Sequence, residues 1–197
     1  MNIHELKDTN PKRFDEEYYD WLQYNPDYDW WEWVQEGFIE DCKPLGIRVD
    51  EIAFDSNHEW RASFKGKVSV AKWMKSQKLD EKWYPLYLAF EADCSYVLVS
   101  PTNRSGRDLD WYDALPNVPT LGVFSDMPDD DWEGMLEDMM LEFDPDAALR
   151  EFLTNLCDDL ARKLERAYED EISEERFIEH CEINEVDFEE DDDEIQS

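Results

Sequence analysis

Asp129, Asp131 and Glu133, followed by Gly134, fall at positions 1, 3, 5 and 6 of a calcium-binding loop. In such a loop alternate carboxylates wrap a hard cation and the glycine permits a sharp turn. The twelfth position, which must supply a bidentate carboxylate, is Met140, and a helical apolar period already accounts for that residue, so no calcium site is expected. His180 beside Cys181 places a base next to a thiol, but neighbours on a helix point ~100° apart, and the pair reads as a buried thiol beside a surface imidazole. Ser69 and Lys72 share a serine–lysine spacing too short to specify acyl transfer. No GxSxG, HExxH, phosphate-binding glycine loop or dinucleotide fingerprint occurs, and six glycines leave little room for one. Cys42, Cys94, Cys157 and Cys181 lie far apart without a CxxC pair, a histidine at ligand spacing or a secretory leader ahead of them, as expected of reduced thiols in a cytoplasmic protein. The expectation is a protein that is not an enzyme and holds no metal and no cofactor.

The side chains left with chemistry to perform are carboxylates. The chain of 197 residues carries 52 Asp and Glu against 19 Lys and Arg, a net charge of -33. Such a field repels phosphates, which excludes direct binding to nucleic acid or an anionic membrane and points to a cationic partner. With 42% hydrophobic and 14% aromatic residues the chain is nonetheless too apolar to be a disordered polyanion. The acids are unevenly placed: residues 1–60 hold 16 acids and 5 bases, residues 61–107 hold 4 and 9, and residues 108–197 hold 32 and 5.

Two stretches lack counter-charges. Asp29, Glu32, Glu36 and Glu40 are spaced 3, 4 and 4, one helical stripe with no base before Lys43. Residues 126–146 hold ten acids and no base, among them Asp126, Asp129, Asp130, Asp131, Glu133, Glu137, Asp138 and Glu142. Like charges at i,i+4 cost a helix ~0.2–0.5 kcal/mol per pair, so Glu32/Glu36, Glu36/Glu40, Glu133/Glu137 and Asp138/Glu142 all work against folding. By contrast Asp158/Arg162, Asp159/Lys163 and Arg166/Asp170 are attractive i,i+4 pairs, the pattern of an ordinary solvated face. Carboxylates on a helical stripe recur every ~4.5–6 Å, against one phosphate per ~3.4 Å of axis on each DNA strand, so two stripes side by side would approach phosphate density. The twelve acids named from the two stretches are therefore the contact candidates of a DNA-mimicking surface that occupies a basic cleft. A plain solvated acidic domain is the bland alternative.

An aromatic cluster offers a different surface: Tyr18, Tyr19, Trp21, Tyr24, Tyr28, Trp30, Trp31 and Trp33 lie within sixteen residues. One helix cannot bury them all, and Trp21, Trp31 and Trp33 are candidate anchors for an antitoxin-like or regulatory protein-binding module. Lys67, Lys72, Lys75, Lys78 and Lys82 form a basic patch expected to pair with the acidic ends, within one chain or across a homodimer.

The elements that position these residues follow from periodicity. Asn25-Pro26 predicts the start of a helix running to Cys42 with Trp30, Val34, Phe38 and Cys42 inward. Residues 47–54 and 60–68 alternate as two strands turned at residues 55–57; residues 67–78 predict a short basic helix, 83–92 are ambiguous between helix and strand, 96–99 form a strand and 118–124 a weaker one. Trp132, Met135, Leu136, Met139, Met140 and Phe143 set one helix, and Leu149, Phe152, Leu153, Leu156, Leu160 and Leu164 a long second one, opened by Asp144-Pro145 and reaching Tyr168 or beyond. Ser173 caps a shorter helix, and residues 183–188 read as a last strand. The expected architecture is α+β, a small mostly antiparallel sheet covered by an N-terminal helix and C-terminal helices, in one acidic domain over residues 1–188 with a disordered acidic tail at 189–197. No apolar stretch approaches the ~20 residues needed to cross a bilayer.

The long helix ending in Arg166-Ala-Tyr-Glu-Asp-Glu171, then Ser173-Glu-Glu and Asn184-Glu-Val-Asp-Phe-Glu-Glu-Asp191, resembles a family of acidic proteins encoded by bacteriophage and mobile elements. Glu36-Gly-Phe-Ile-Glu-Asp41 and Leu45-Gly-Ile47 add to that resemblance. It implies no catalytic residues, a bacterial host cell as the setting, and restriction, recombination or CRISPR machinery as targets. The charge pattern also resembles anti-restriction DNA mimics, in kind rather than in sequence.

Overall fold

The computed structural model describes residues 1–24, 26, 29–56, 59–78, 81–83, 86, 96–99, 109–112 and 129–189, with backbone alone at residues 81, 96–99, 109–112, 129–133, 140 and 146. Among them are α1 (Ile3–Thr9), α2 (Pro11–Tyr24), α3 (Glu32–Cys42), α4 (Val70–Ser76), α5 (Asp129–Glu142), α6 (Pro145–Glu171) and α7 (Glu174–Ile183). The strands are β1 (Ile47–Asp55), β2 (Arg61–Ser69), β3 (Tyr96–Val99) and β4 (Leu109–Tyr112). The expected helix-or-strand segment beyond Trp83, the strand at 118–124 and the acidic tail from residue 190 lie outside the described residues, as do Asp126 and Cys94. The fold is α+β, as the patterning predicts. The chain forms two compact units, one of residues 33–164 and the other of residues 1–32 and 165–197.

In the unit of residues 33–164 the strands make an antiparallel meander in the order β1-β2-β3-β4. Along β2 the buried Ala62, Phe64, Gly66 and Val68 alternate with exposed Lys65 and Lys67, the period that packs one sheet face and wets the other. The β1/β2 register shifts between Val49 and Glu51, a bulge opposite Gly66. A Cβ on Gly66 would lie 2.0 Å from the Arg48 carbonyl oxygen, so β1 approaches this point closer than any side chain allows. Val34, Phe38 and Cys42 form the buried stripe of α3, and the Phe38 ring meets Phe64 edge-to-face at 5.4 Å. On α6 Leu149, Leu153, Cys157, Leu160 and Leu164 are buried, and Trp73 of α4 meets Phe152 at 6.2 Å. The Phe38 contact sets α3 against β2, and a hydrogen bond between Cys157 and the Phe64 backbone does the same for α6.

The other unit is helical, with a core of Ile3, Leu6, Phe14, Trp21, Phe177, Cys181 and Phe188. The Asn2 and Glu5 side chains close a capping box on α1. Asn10 Oδ1 accepts from Arg13 N at 3.2 Å just as Pro11 opens α2, the cap-then-proline arrangement that favours a first turn. Neither helix is among the sequence expectations.

Three expectations need correction. The helix predicted from Asn25-Pro26 begins only at Glu32, whose N–H bonds to the Asp29 carbonyl at 2.9 Å after a turn at residues 29–31. Residues 183–188 are not a strand: α7 runs to Ile183, Glu185 takes φ 50, and the chain then returns to Met1, with which Phe188 exchanges backbone hydrogen bonds of 2.9 and 3.2 Å. The charge pairs on α6 also form differently, because Arg162 bonds Asp159 rather than Asp158 and Lys163 reaches Asp41 on α3 at 3.0 Å.

Burial raises the thiols of Cys42 and Cys157 from an ordinary 9.0 to about 12, with Asp41 and Asp158 adding to it, and raises Cys181 to about 11, helped by Glu17. The protonated form is therefore favoured by folding. The native state holds protons that the unfolded chain has lost above pH ~9, so this stabilisation is complete below that pH and declines as pH rises towards about 12. We expect these three thiols to resist a thiol reagent at pH 8 in the native protein and to react on unfolding, and denaturation midpoints to fall between pH 9 and pH 11. Rapid modification of Cys42 or Cys157 without unfolding would contradict this burial.

Candidate functional site

Fixing α3 by its buried Val34, Phe38 and Cys42 turns the opposite side of that helix to solvent. Glu32, Trp33, Glu36 and Glu40 are all exposed. Glu40 bonds Lys43 one turn on, whereas Glu32 and Glu36 make no ion pair with any described residue. Asp29 is exposed in the turn before the helix. Glu32, Glu36 and Glu40 thus recur at ~6 Å along the axis, sparser than phosphates on a DNA strand.

The second acidic stretch forms α5, helical from Asp129 onward, so the residues matching a calcium loop adopt no loop geometry. Glu137 and Asp138 are exposed and make no ion pair with a described residue, while Glu142 accepts a hydrogen bond from Lys82. Asp129, Asp130, Asp131 and Glu133 occupy the first turns of α5 by backbone, and their side chains, like all of Asp126, are outside the described set. Leu136 is buried and Met135, Met139 and Phe143 are half-buried, so α5 keeps its predicted apolar side.

The three candidate aromatic anchors separate clearly. Trp21 is buried, its ring 5.6 Å from Phe177, and presents no surface to a partner. Trp31 is half-buried with its ring perpendicular to Trp30 at 5.7 Å. Trp33 remains 66% exposed, on the same helix side as Glu36 and Glu40. Periodicity could have placed it there, because it is a full turn before Glu36-Gly37 and opposite the Phe38 stripe.

Of the basic patch, Lys82 pairs with Glu142, but Lys67, Lys72, Lys75 and Lys78 are exposed and form no ion pair with a described residue. The expected pairing with the acidic ends is therefore limited to Lys82 among the described residues. His180 is half-buried beside Trp21, ring to ring 6.0 Å, and its neighbour Cys181 points into the core. No three His, Cys, Asp or Glu side chains gather as a metal-ion site among the described residues, and no helix there is long and apolar enough to cross a membrane. No family model, curated protein or solved structure matches the chain.

Proposed function

We propose that this protein is an acidic DNA mimic that occupies the cationic nucleic-acid-binding site of a host defence or DNA-processing protein, of the restriction, recombination or CRISPR kind, in the cytoplasm of a bacterial host. The reading is supported above all by Glu32, Glu36, Glu137 and Asp138, which stand exposed on two helices without ion pairs among the described residues. Lys7, Lys12, Arg13, Lys43, Arg48, Arg61, Lys65, Lys82, Arg162, Lys163 and Arg176 pair with acids, Glu40, Asp41 and Glu142 of α3 and α5 among them, whereas Lys67, Lys72, Lys75 and Lys78 form no ion pair with a described residue. Repulsive Glu32/Glu36 spacing works against helix stability, and its retention suits a surface whose counter-charge arrives with a partner. The protein binds and blocks; it performs no turnover.

Capture from a bacterial lysate on the immobilised protein, followed by elution with duplex DNA, tests this. The expected result is a captured nucleic-acid-binding protein that DNA displaces, in a manner that weakens as salt rises. A partner that DNA cannot displace would instead favour the second reading, a regulatory or antitoxin-like module anchored by aromatics, for which the exposure of Trp33 is the supporting observation.

A further inference from the structure

We infer that the outward side of α3, centred on Trp33, is a docking site for an arginine side chain of the protein's partner, the guanidinium stacking on the indole while Glu36 and Glu40 accept its N–H groups. The inference rests on the reading of α3 as the partner-facing helix and adds the chemistry of the group received there.

Among the described residues the protein twice builds this arrangement from its own side chains. Lys82 Nζ sits 4.3 Å from the centre of the Trp83 ring while donating to Glu142. Lys7 Nζ sits 5.0 Å from the centre of the Phe14 ring while donating to Glu174 at 2.7 Å. Each time a cation is held between an aromatic face and a carboxylate. Trp33 with Glu36 at i+3 and Glu40 at i+7 supplies the same two components on adjacent turns of one helix, and no described cation is over the indole. Glu40 has Lys43 as its neighbour, but Glu36 has no ion pair among the described residues.

Gly37, one turn beyond Trp33, is compatible with close approach to the indole. It lies inside a helix, where glycine is disfavoured against alanine by ~1 kcal/mol, yet a Cβ there would meet nothing within 4 Å. Packing among the described residues does not require the glycine. Its absent side chain leaves the helix surface bare beside the indole, which lets a flat group and the backbone carrying it come close. An arginine suits this site better than a lysine, because its planar, weakly hydrated guanidinium can stack on tryptophan and keep its in-plane donors for two carboxylates.

Titration of the full chain with nona-arginine and nona-lysine peptides of equal charge, by calorimetry at about 0.15 M salt, separates this site from general attraction to a polyanion. Nona-arginine should bind about five-fold tighter, the effect of one exposed cation–π contact. Trp33→Ala should erase that preference, lowering nona-lysine affinity less than nona-arginine affinity, Trp33→Phe should retain part of it, and Glu36→Gln should reduce it with the indole in place. Trp33 is exposed, so thermal melting should show these variants folded. Equal affinities for the two peptides, or an arginine preference that survives Trp33→Ala, would overturn the inference. A partner displaced by DNA together with equal peptide affinities would remove the arginine site and leave the DNA-mimic reading; an arginine preference with a partner that DNA cannot displace would do the reverse.

Discussion

Replacing Gly66 by alanine is expected to destabilise the sheet unit by about 3 kcal/mol, although the change adds one methyl group. Gly66 lies in β2 between two hydrogen-bonded neighbours, opposite Val49 of β1 and Val99 of β3. The new Cβ would stand 2.0 Å from the Arg48 oxygen, 3.0 Å from the Arg48 carbonyl carbon and 3.2 Å from Val49 Cα. All three are backbone atoms, so no rotamer change relieves the clash. The strand can only move as a whole, which breaks the register on both sides of the bulge. Gly134→Ala is the matching control. That glycine is exposed within α5 and a Cβ there meets nothing within 4 Å, so alanine should stabilise by roughly 0.5–1 kcal/mol through the entropy it removes from the unfolded chain. Urea denaturation of both variants reads the two signs. A Gly66→Ala protein as stable as its parent would mean that β1 does not pass where the register places it.

How much of this was legible depends on whether the interaction is local. Alternation at Ile47, Val49, Ile52 and Phe54 and at Trp60, Ala62 and Phe64 anticipates the β1/β2 hairpin, and leucines at helical spacing anticipate α6 almost to its end at Glu171. Those signals are repeated over many residues, so an error at one position changes little. The α1/α2 pair has local signals too, in the Asn2–Glu5 capping box, the Asn10-Pro11 start and the spacing of Phe14, Tyr18, Trp21 and Leu22, but α1 is only seven residues long and aromatics on several sides of α2 blur its apolar stripe. The Asn25-Pro26 pair has the same composition as Asn10-Pro11 and does not open a helix, because the turn at residues 29–31 and not the proline sets the entry to α3. A cap motif therefore fixes a helix start only when the apolar stripe begins immediately after it.

Charge pairing was legible least. Lys163 finds Asp41 across 122 residues and Lys82 finds Glu142 across 60, so spacing along one helix names the wrong partner for Lys163 and none for Lys82. The same non-local contacts decide which candidate carboxylates stay unpaired. Glu32 and Glu36 are exposed without an ion pair to any described residue, whereas Glu142 holds Lys82. Trp33 is placed on the surface by the Val34/Phe38 period of its own helix, whereas Trp21 is made a core residue by Phe177, a contact far along the chain that no local spacing signals.

Neutralising Glu32 and Glu36 together with Glu137 and Asp138, as Gln and Asn, is expected to lower affinity for the captured cationic partner by about two orders of magnitude. Each partly exposed charge contributes at most about 1 kcal/mol, so four of them correspond to roughly 3 kcal/mol, and 1.4 kcal/mol is a factor of ten. The loss should be largest at low ionic strength and shrink as the screening length falls from ~10 Å at 0.1 M salt to ~3 Å at 1 M. Folding should be unharmed or slightly improved, because the Glu32/Glu36 repulsion and the Glu133/Glu137 repulsion both disappear, each worth ~0.2–0.5 kcal/mol. Glu142 is excluded from the set because Lys82 uses it, and its substitution would mix a stability loss into the binding change. Two comparisons give the result its meaning. Asp158→Asn with Asp159→Asn removes the attraction to Arg162 and should affect stability more than binding. Deleting residues 189–197 removes five further acids beyond Glu189 yet should matter least, since the proposed contact depends on carboxylates held at helical spacing and not on the quantity of negative charge. If the deletion abolishes capture while the four substitutions leave it intact, attraction to a bulk polyanion explains the binding, and the mimicry assigned to α3 and α5 fails.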